Sequence, residues 1–511
     1  MSYVGQPLKR FEDPRLITGS SSFLDDIQLP DMHHAAVLRS VHAHARLRSV
    51  DASAARDLAG VAAVLSGADI AGILKDIPPR PMGPGRPVDE LRVPEHPLLA
   101  KDKVCYVGQP IAILVAKDPY VARDGLDLIS VDYEPLPPVI DPLAALDPEA
   151  PIVHQAWDSN VAMRLRQQGG DLEAAFAQAD HIIRQHYQIP RVAPSPVEGR
   201  GVLAHYQPQS DQLTVWDSTQ APHRVRTYLA RLLNRAETTI RVIVPEVGGS
   251  FGVKDCLFPE DFLIPYLALR LEKPIKWSET RQENLLTYHG RGQSAEVEIA
   301  VRRDGVILGI RAHIVADLGA YFLLTTPFAP FNTCRRINGP YHVAAISTEL
   351  VAVVTNKTPT GAYRGTGSPE AAFYMERSMD LIARDLGLDP AEVRRKNYIP
   401  TDAFPYHSAI GATYDSGDYE LTLDRALQLV DYKSWRQKAQ HRQPHEALLG
   451  LGLATFIKSS GASGEHRLEH ARVHIEPSGQ VSVYTGISPH GQGSETTFAQ
   501  IVAHELGVHP S

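Results

Sequence analysis

The chain has 511 residues, too many for one ordinary hydrophobic core, and its length predicts about three domains. Hydrophobic residues make up 43% and charged residues 22%, which is typical of globular proteins and excludes collagen-like, coiled-coil and disordered classes. The net charge of −8 gives no electrostatic footprint for nucleic acid or for an anionic membrane.

The first residues contain no apolar signal-peptide core, and no stretch approaches the roughly 18 apolar residues of a membrane span. We therefore expect a cytoplasmic protein without a membrane span. The three cysteines, Cys105, Cys256 and Cys334, are far apart and form no CxxC pair. This spacing predicts neither a disulfide framework nor a self-contained iron–sulfur cluster, so any electron relay must lie on another chain.

The first part of the chain alternates short β-type runs with polar breaks, and residues 119–128 (PYVARDGLDL) have a helical pattern. This alternation predicts a compact α+β domain. Residues 77–97 are so rich in proline and glycine that they predict a long surface loop. A second proline-dense stretch, residues 134–151, predicts a linker, and we place a domain boundary near Ala145.

Three later segments have alternating apolar residues on both sides of a turn, which predicts β-hairpins. They cover residues 203–218, 295–316 and 471–486. The first and third continue into a Gln-containing loop with a Pro-His pair and then into an amphipathic helix. One supersecondary unit used twice and a chance similarity explain this pattern equally well.

The first glycine-rich loop, which we call loop A, is EVGGSFGVKD (residues 246–255). Its three glycines let the backbone approach a ligand closely, and a helix is predicted to begin at Pro259. A loop of this kind presents N–H groups to an anion. Taken alone, loop A is better explained as a plain turn between a strand and a helix.

Loop B, TPTGAYRGTG (residues 358–367), precedes a helix for which Ser368 is the predicted N-cap and Gly387 the predicted end. Arg364 therefore lies just before a helix N-terminus. Glu370 stands where a dinucleotide-binding GxGxxG motif has its third glycine. That motif is excluded.

Loop C, SPHGQG (residues 488–493), precedes a helix with a predicted N-cap at Ser494 or a neighbour and a predicted end at Gly507. Its Gln492 can both donate and accept hydrogen bonds. Three glycine loops that each lead to a helix N-terminus together suit a large ligand with a phosphate and a polar bicyclic ring. A pterin has this chemistry.

These strings, in this order, resemble the molybdenum-binding large subunit of the xanthine oxidase family, which includes aldehyde, nicotine, isoquinoline and carbon monoxide oxidoreductases. The opening GQPLKRFEDPRLITGSSSFLDD and the strings VGQPIAILVA and VDYEPLPPVID are similar to the start of that subunit. GGSFGVKD, AYRGTGSPEA and HGQGSETTFAQI are similar to its cofactor and active-site segments. The resemblance extends over the whole chain.

The resemblance implies an α+β fold: an N-terminal hammerhead-like α/β domain, the first molybdopterin-binding domain and part of the second. We assign residues 1–145, 146–400 and 401–511 to these parts. The family chain continues with further cofactor segments and a late glutamate that is the catalytic base. Since no residue of this sequence matches that glutamate, we expect the base beyond residue 511 or on a separate C-terminal half of the subunit.

The resemblance also implies roles for individual side chains. Gln220 matches the glutamine that hydrogen-bonds the apical oxo group of the metal, although a surface glutamine is the alternative interpretation. Arg364 matches the arginine that reaches the active site, where its planar guanidinium suits the orientation or polarisation of a substrate. Gln220 and Arg364 are the predicted catalytic residues. Asp255 and Thr366 are predicted to line the substrate pocket.

The cofactor implied by the resemblance is molybdenum–molybdopterin, in the cytosine dinucleotide form, with no metal ligand supplied directly by the protein. Phe251 and Gly252 match residues beside the terminal oxo ligand. Ser494 departs from the family's usual histidine, which puts the detailed contacts of loop C in question. The predicted cofactor-binding residues are Gly248, Gly249, Phe251, Gly252, Gly491, Gln492 and Gly493.

The implied activity is oxidation of an aldehyde or an aromatic N-heterocycle with water as the oxygen source. Electrons would pass to iron–sulfur clusters on a small subunit and FAD on a medium subunit, and the chain is expected to be inactive without these subunits and its C-terminal part. Residues 365–367 replace the copper-binding cysteine of the carbon monoxide enzymes. Asp255 and Thr366 replace a glutamate and a phenylalanine of the purine-specific enzymes, so both of those substrates are disfavoured.

Two alternative functions remain open. His466 and His470 have helical spacing, as metal ligands of a hydrolase can have, but residues 470–476 have a strand pattern. His504 and His509 are one residue too far apart for an HExxH motif. The second alternative is a truncated, non-catalytic fragment that only associates with partner subunits.

Overall fold

The computed structural model of the chain describes residues 2–78, 82, 88–441, 447–459 and 470–510. Residues 79–81 and 83–87 of the surface loop predicted for residues 77–97 lie outside the described residues, and so does His466. The described part of that loop includes the short strand Glu90–Leu91 and the buried His96. The rest of the chain forms helices and strands whose order is mixed along the sequence. The α+β class predicted from the sequence is confirmed.

The strands are β1 His33–Arg39, β2 Ala45–Asp51, β3 Val61–Ser66, β4 Glu90–Leu91, β5 Lys103–Val104, β6 Pro110–Ala116, β7 Ser130–Pro135, β8 Val161–Gly169, β9 His181–Val192, β10 Gly201–Gln207, β11 Gln212–Asp217, β12 Ile240–Ile243, β13 Ile275–Ser278, β14 Gly290–Val301, β15 Ile307–Asp317, β16 Ala345–Val353, β17 Tyr406–His407, β18 Thr413–Tyr414, β19 Ala471–Ile475 and β20 Val481–Thr485.

The helices are α1 Asp13–Ile17, α2 Ser53–Arg56, α3 Gly67–Ile70, α4 Pro119–Asp127, α5 Leu172–Ala177, α6 Pro222–Leu232, α7 Pro259–Leu271, α8 Arg281–Thr287, α9 Phe328–Arg335, α10 Ser368–Leu386, α11 Pro390–Asn397, α12 Tyr419–Leu429, α13 Tyr432–Gln440 and α14 Ser494–Leu506.

A seven-stranded sheet has the order β12-β11-β10-β13-β1-β6-β3. Strand β1 pairs parallel to β13, with His33 opposite Ile275, and antiparallel to β6. Strands on both sides of the boundary predicted near Ala145 therefore share one sheet. Ala145 itself is buried within a short 3-10 turn, so the chain at this point is packed against the body of the protein.

A six-stranded sheet has the order β4-β8-β16-β15-β14-β9 and packs against α10. The predicted second hairpin is its β14–β15 pair, and the predicted first hairpin is the β10–β11 pair of the larger sheet. The third predicted hairpin, β19–β20, forms a two-stranded sheet of its own. All three hairpin predictions are confirmed. They could be made because alternating apolar residues indicate strand pairing from local sequence alone.

The observed helix ends agree with those predicted from the sequence, except for the N-terminus of α10, which follows loop B. Gly387 ends α10 with φ +68°, as predicted. The predicted N-cap Ser368 is instead the first helical residue, and Gly367 is the N-cap with φ +85°. A Cβ on Gly367 would lie 2.0 Å from the Ala329 carbonyl oxygen, so close packing selects glycine there. The Ser368 hydroxyl accepts a hydrogen bond from Arg336 and does not cap the helix.

A buried ion-pair network fixes the start of α7, directly after loop A. Arg39 on β1 and Arg200 both pair with Glu260, at N–O distances of 2.6 and 3.2 Å, and Arg200 also pairs with Glu279 at 2.7 Å. Burial alone would raise the pKa of Glu260, but the two arginines outweigh it and lower that pKa to about 2. These charges therefore join the N-terminal strands to the element that follows loop A.

Candidate functional site

Gln220 follows β11 and lies against loop A. Its side-chain oxygen accepts hydrogen bonds from the Ser250 hydroxyl and from the backbone N–H of Gly252, the latter at 3.2 Å. Its own backbone N–H donates to the Lys254 carbonyl oxygen at 2.9 Å. Three contacts thus fix the orientation of this amide relative to the glycine loop, so the structure brings Gln220 together with the predicted cofactor residue Gly252.

Loops A and B are in direct backbone contact. The Arg364 N–H donates to the Phe251 carbonyl oxygen at 2.9 Å. Gly252 has φ +109°, and a Cβ there would lie only 2.0 Å from the Ala362 carbonyl oxygen. Only glycine satisfies both the backbone conformation and this close approach. The glycine at position 252 of the GGSFG string is therefore required by the packing of loop A against loop B.

Loop C reaches the same point from the C-terminal part of the chain. The Gln220 amide nitrogen and the His490 Nε2 are 3.4 Å apart, and the Ser488 hydroxyl donates to the Thr219 carbonyl oxygen at 3.3 Å. Within the loop, the Gln492 side-chain oxygen accepts from the His490 N–H at 2.7 Å. The two loops with Pro-His pairs that follow the first and third hairpins are therefore in contact at Gln220 and Thr219.

A buried ion pair lies behind loop A. One Glu198 carboxylate oxygen accepts from the Lys254 ammonium at 2.7 Å, from the Ser218 hydroxyl at 2.7 Å and from the Gly248 N–H at 2.8 Å. The Lys254 side chain is completely buried, and burial lowers its pKa although Glu198 opposes the shift. One carboxylate therefore holds the first glycine of loop A and the strand end that leads to Gln220.

Two buried carboxyl groups lie close to this ion pair. Asp217 is 4% exposed, and its Oδ2 has no hydrogen-bond partner. Burial raises the pKa of Asp217 well above its ordinary value, and the nearby Asp261 raises it further, while Lys254 and Arg200 oppose the shift. Burial likewise raises the pKa of Asp261. Burial and their mutual repulsion therefore favour the protonated form of one of these two carboxyl groups.

The other predicted side chains have different surroundings. Phe251 has φ +55° and is 41% exposed, so it projects from loop A. Arg364 is exposed at the rim of a cavity of about 1000 Å³ that Phe373 and Phe456 also line. Its backbone, and not its side chain, makes the contact with loop A. Asp255, a predicted pocket residue, pairs with Arg224 at 2.9 Å.

Thr366 and the glycines of loop C are held by backbone conformation. Thr366 has φ +47°, and its N–H donates to the Tyr363 carbonyl oxygen at 2.9 Å. Gly491 has φ +106° with open space where a Cβ would stand, and Gly493 is the N-cap of α14. The prediction of an N-cap at Ser494 or a neighbour is thereby confirmed. The helix ends at Gly507, as predicted.

Sequence reasoning missed Glu198, Ser250 and His490. Glu198 lies about 50 positions before the glycine it holds, and no local pattern links the two. The position of Lys254 inside the GGSFGVKD string was a usable signal, because a lysine in a buried glycine loop needs a nearby carboxylate.

Within the part of the chain that the structure describes, no group of three or more His, Cys, Asp or Glu side chains is placed to hold a metal ion. Among the same residues, no helix has the length and apolar character needed to cross a membrane. The metal-hydrolase alternative thus has no ligand set among the described residues.

Three protein-family matches cover most of the chain. Residues 18–137 match the aldehyde oxidase and xanthine dehydrogenase a/b hammerhead domain. Residues 153–398 and residues 425–511 each match a molybdopterin cofactor-binding domain. A nicotinate dehydrogenase large molybdopterin subunit from Eubacterium barkeri is 30% identical over 398 residues, covering 77% of this chain and 89% of that subunit. The chain belongs to the molybdenum hydroxylase large-subunit family.

Other members of the molybdenum hydroxylase family match the chain from end to end. Subunit gamma of the 6-hydroxypseudooxynicotine dehydrogenase complex of Paenarthrobacter nicotinovorans is 36% identical over 100% of this chain and 64% of its own length. The crystal structure of quinoline 2-oxidoreductase from Pseudomonas putida 86 superposes with a TM-score of 0.94 at 36% identity, over 100% of this chain and 66% of that chain. The chain thus spans about two thirds of the length of these relatives.

Proposed function

We propose that this chain binds a molybdenum–molybdopterin cofactor and forms part of a hydroxylase that oxidises an aldehyde or an aromatic N-heterocycle, with water as the oxygen source. The observation that carries the proposal is the convergence of loops A and C on Gln220, next to the backbone contact between loops A and B. A heterocycle is the first substrate class to assay, because a relative at 36% identity is named as a quinoline oxidoreductase.

The residues present fit such a cofactor. The Phe251 side chain of loop A is partly exposed, and the space beside Gly491 of loop C is open, so both loops offer surface to a ligand. Gln220 offers an amide that is already oriented. We assign cofactor contacts to Gly248, Gly249, Phe251, Gly252, Gly491, Gln492 and Gly493. A bound molybdenum cofactor would supply the two-electron oxidation and the transfer of oxygen from water. We propose its cytosine dinucleotide form.

The side chains of this chain would bind and orient. Gln220 is held by Ser250 and Gly252, so its amide is preorganised toward a polar group of the cofactor. Arg364 has an exposed guanidinium that can move to a substrate carbonyl or ring nitrogen, which is the role we propose for it. Asp255 and Thr366 are proposed pocket residues; the ion pair with Arg224 fixes the direction of the Asp255 carboxylate.

We propose three partners: a small iron–sulfur subunit, a medium FAD subunit and a polypeptide corresponding to the third of the relatives' length that this chain does not span. The last would supply the catalytic base, because the resemblance assigns that role to no residue of this chain. Catalysis is accordingly proposed for the assembly and not for the isolated chain. We retain 1–145, 146–400 and 401–511 as the proposed domains.

The second candidate function is association with the partner subunits without catalysis. Both candidates are tested by purifying the chain from a molybdenum-competent host, alone and with each proposed partner, and measuring molybdenum and released pterin per chain. Near-stoichiometric molybdenum and pterin in any pairing support the cofactor proposal. Their absence from every pairing contradicts it and supports the second candidate.

Activity of the assembled protein then tests the side-chain roles. Arg364→Ala is expected to lower kcat/KM by about 10- to 100-fold, the typical effect of losing one hydrogen bond from a charged donor, while pterin content stays unchanged. Gln220→Ala is expected to lower both activity and pterin content. The exposed residues Arg384 and Gln185 provide matched controls, whose alanine variants should keep wild-type values.

A further inference from the structure

The N-terminal segment of the chain packs against its last helix. The Gln500 side-chain amide donates to the Tyr3 carbonyl oxygen at 2.5 Å and to the Gln6 carbonyl oxygen at 3.0 Å. The Tyr3 N–H donates to the His504 ring at 3.3 Å. We call residues 3–15 the strap, because they run along α14 from its last turn to its first.

The strap caps α14 at its N-terminus. The N-cap Gly493 has no side chain, so the first N–H groups of the helix need partners from elsewhere. The Thr496 N–H donates to the Glu12 carboxylate at 3.3 Å, and the Thr496 hydroxyl donates to the same carboxylate. The Phe11 N–H donates to that hydroxyl at 2.8 Å. Glu12 thus performs, from the other end of the chain, the task of an N-cap side chain.

Arg15 joins the helix to loop A. Its guanidinium donates two hydrogen bonds to Glu495 in the first turn of α14, at 2.8 and 2.7 Å, and one to Glu246 at the start of loop A, at 2.6 Å. A forked pair of this kind fixes direction as well as distance. Loop C, which ends at α14, is therefore connected to loop A through a single strap residue.

Few other contacts hold this part of the chain in place. Helix α14 buries only Thr496 and Ala503, and every residue of β19 is exposed. Loop C itself contacts Gln220 at 3.4 Å and Thr219 at 3.3 Å, both long hydrogen bonds. Most hydrogen bonds of the strap are shorter than these two, and among the residues that the structure describes they are the main polar attachment between the last helix and the rest of the protein.

We propose that the strap is a positioning element for the cofactor: Glu12 and Arg15 set the distance between loop C and loop A, and so determine whether both loops can hold one pterin. Both are positioning residues: Glu12 acts through α14, and Arg15 acts through Glu495 of α14 and Glu246 of loop A. The inference rests on the proposed function in that the shared ligand of the two loops is the molybdenum–pterin cofactor.

The first arm of the test uses the full chain without cofactor. Amide hydrogen exchange in residues 488–506 is expected to become about tenfold faster in Glu12→Ala and in Arg15→Ala, the size of effect that loss of an N-cap produces. Glu12→Gln keeps an acceptor oxygen for Thr496 and should restore most of the protection. Arg311→Ala, which removes a similarly exposed arginine that donates to Glu298 and Glu173 at 2.9 Å each, is the matched control and should leave these residues unchanged.

The second arm measures how fast pterin is lost from the loaded assembly after dilution. Loss at least fivefold faster in both alanine variants, with slow loss restored in Glu12→Gln, supports the inference. Unchanged exchange in residues 488–506 overturns it, and so does faster exchange combined with wild-type pterin retention. A wild-type assembly that holds no pterin instead contradicts the proposed function, and the exchange arm then still reports whether the strap holds α14.

Discussion

Removing the Glu198 carboxylate should destabilise the protein more than any single change on its surface. In Glu198→Ala, the Lys254 ammonium keeps its completely buried position but loses its partner at 2.7 Å, and the Gly248 N–H and Ser218 hydroxyl lose an acceptor. Breaking a buried pair by removing one partner costs about 3–5 kcal/mol. We therefore expect the free energy of unfolding to fall by about 4 kcal/mol, a large part of the total for a domain.

The assay is urea unfolding followed by intrinsic tryptophan fluorescence, to which the buried Trp277 of the seven-stranded sheet contributes. The double variant Glu198→Leu with Lys254→Met removes both charges and should recover all but about 1–2 kcal/mol, because only neutral hydrogen bonds are then missing. Glu237→Ala, which breaks a half-exposed pair with Arg226, should cost less than about 1 kcal/mol. A loss below about 1 kcal/mol in Glu198→Ala, or a double variant no more stable than the single one, would refute the reasoning.

Three further predictions concern loop packing and pH. Gly252→Ala would place a Cβ 2.0 Å from the Ala362 carbonyl oxygen at φ +109°, so it should cost at least about 1–3 kcal/mol in urea unfolding and abolish pterin retention. Gly387→Ala also falls at a positive φ, +68°, but has open space for a Cβ, so it should cost only about 1 kcal/mol, with pterin content unchanged. Burial lowers the pKa of His96 from 6.5 to about 4, so the unfolded chain takes up a proton first, and stability should fall as pH decreases from 6.5 to 4. His96→Phe should remove up to about 3 kcal/mol of that loss; equal pH dependence of unfolding in both proteins would contradict the assignment.

Much of the local structure could be predicted because its signals are local. The hairpin around Asp304-Gly305 and the helix end at Gly387 follow from residues that are neighbours in sequence. The pairing of β1 with β13 could not be predicted, because strands so far apart carry no mutual pattern. For the same reason, the linker assignment near Ala145 missed that one sheet includes strands from both sides.

The candidate site shows the same difference between local signals, which could be predicted, and distant contacts, which could not. The glycine strings located loops A, B and C, since a backbone that must approach another group closely needs glycine. The partners that hold these loops were not found, because Glu198, Glu12 and Arg15 act across hundreds of residues or through side chains with ordinary local sequence. The sequence predicted that Arg364 lies beside the site, but it did not predict that the Arg364 side chain is exposed.

The parallel pairing of β1 with β13 has a consequence for how the protein is made. His33 leaves the ribosome roughly 240 residues before its partner Ile275, which at roughly 5–20 residues per second is a delay of tens of seconds at the slower rates. During that time β1 can pair with β6, but its other edge stays open to wrong partners. Nascent chains of this protein should therefore depend on chaperones that cover exposed strand edges until residue 278 has emerged.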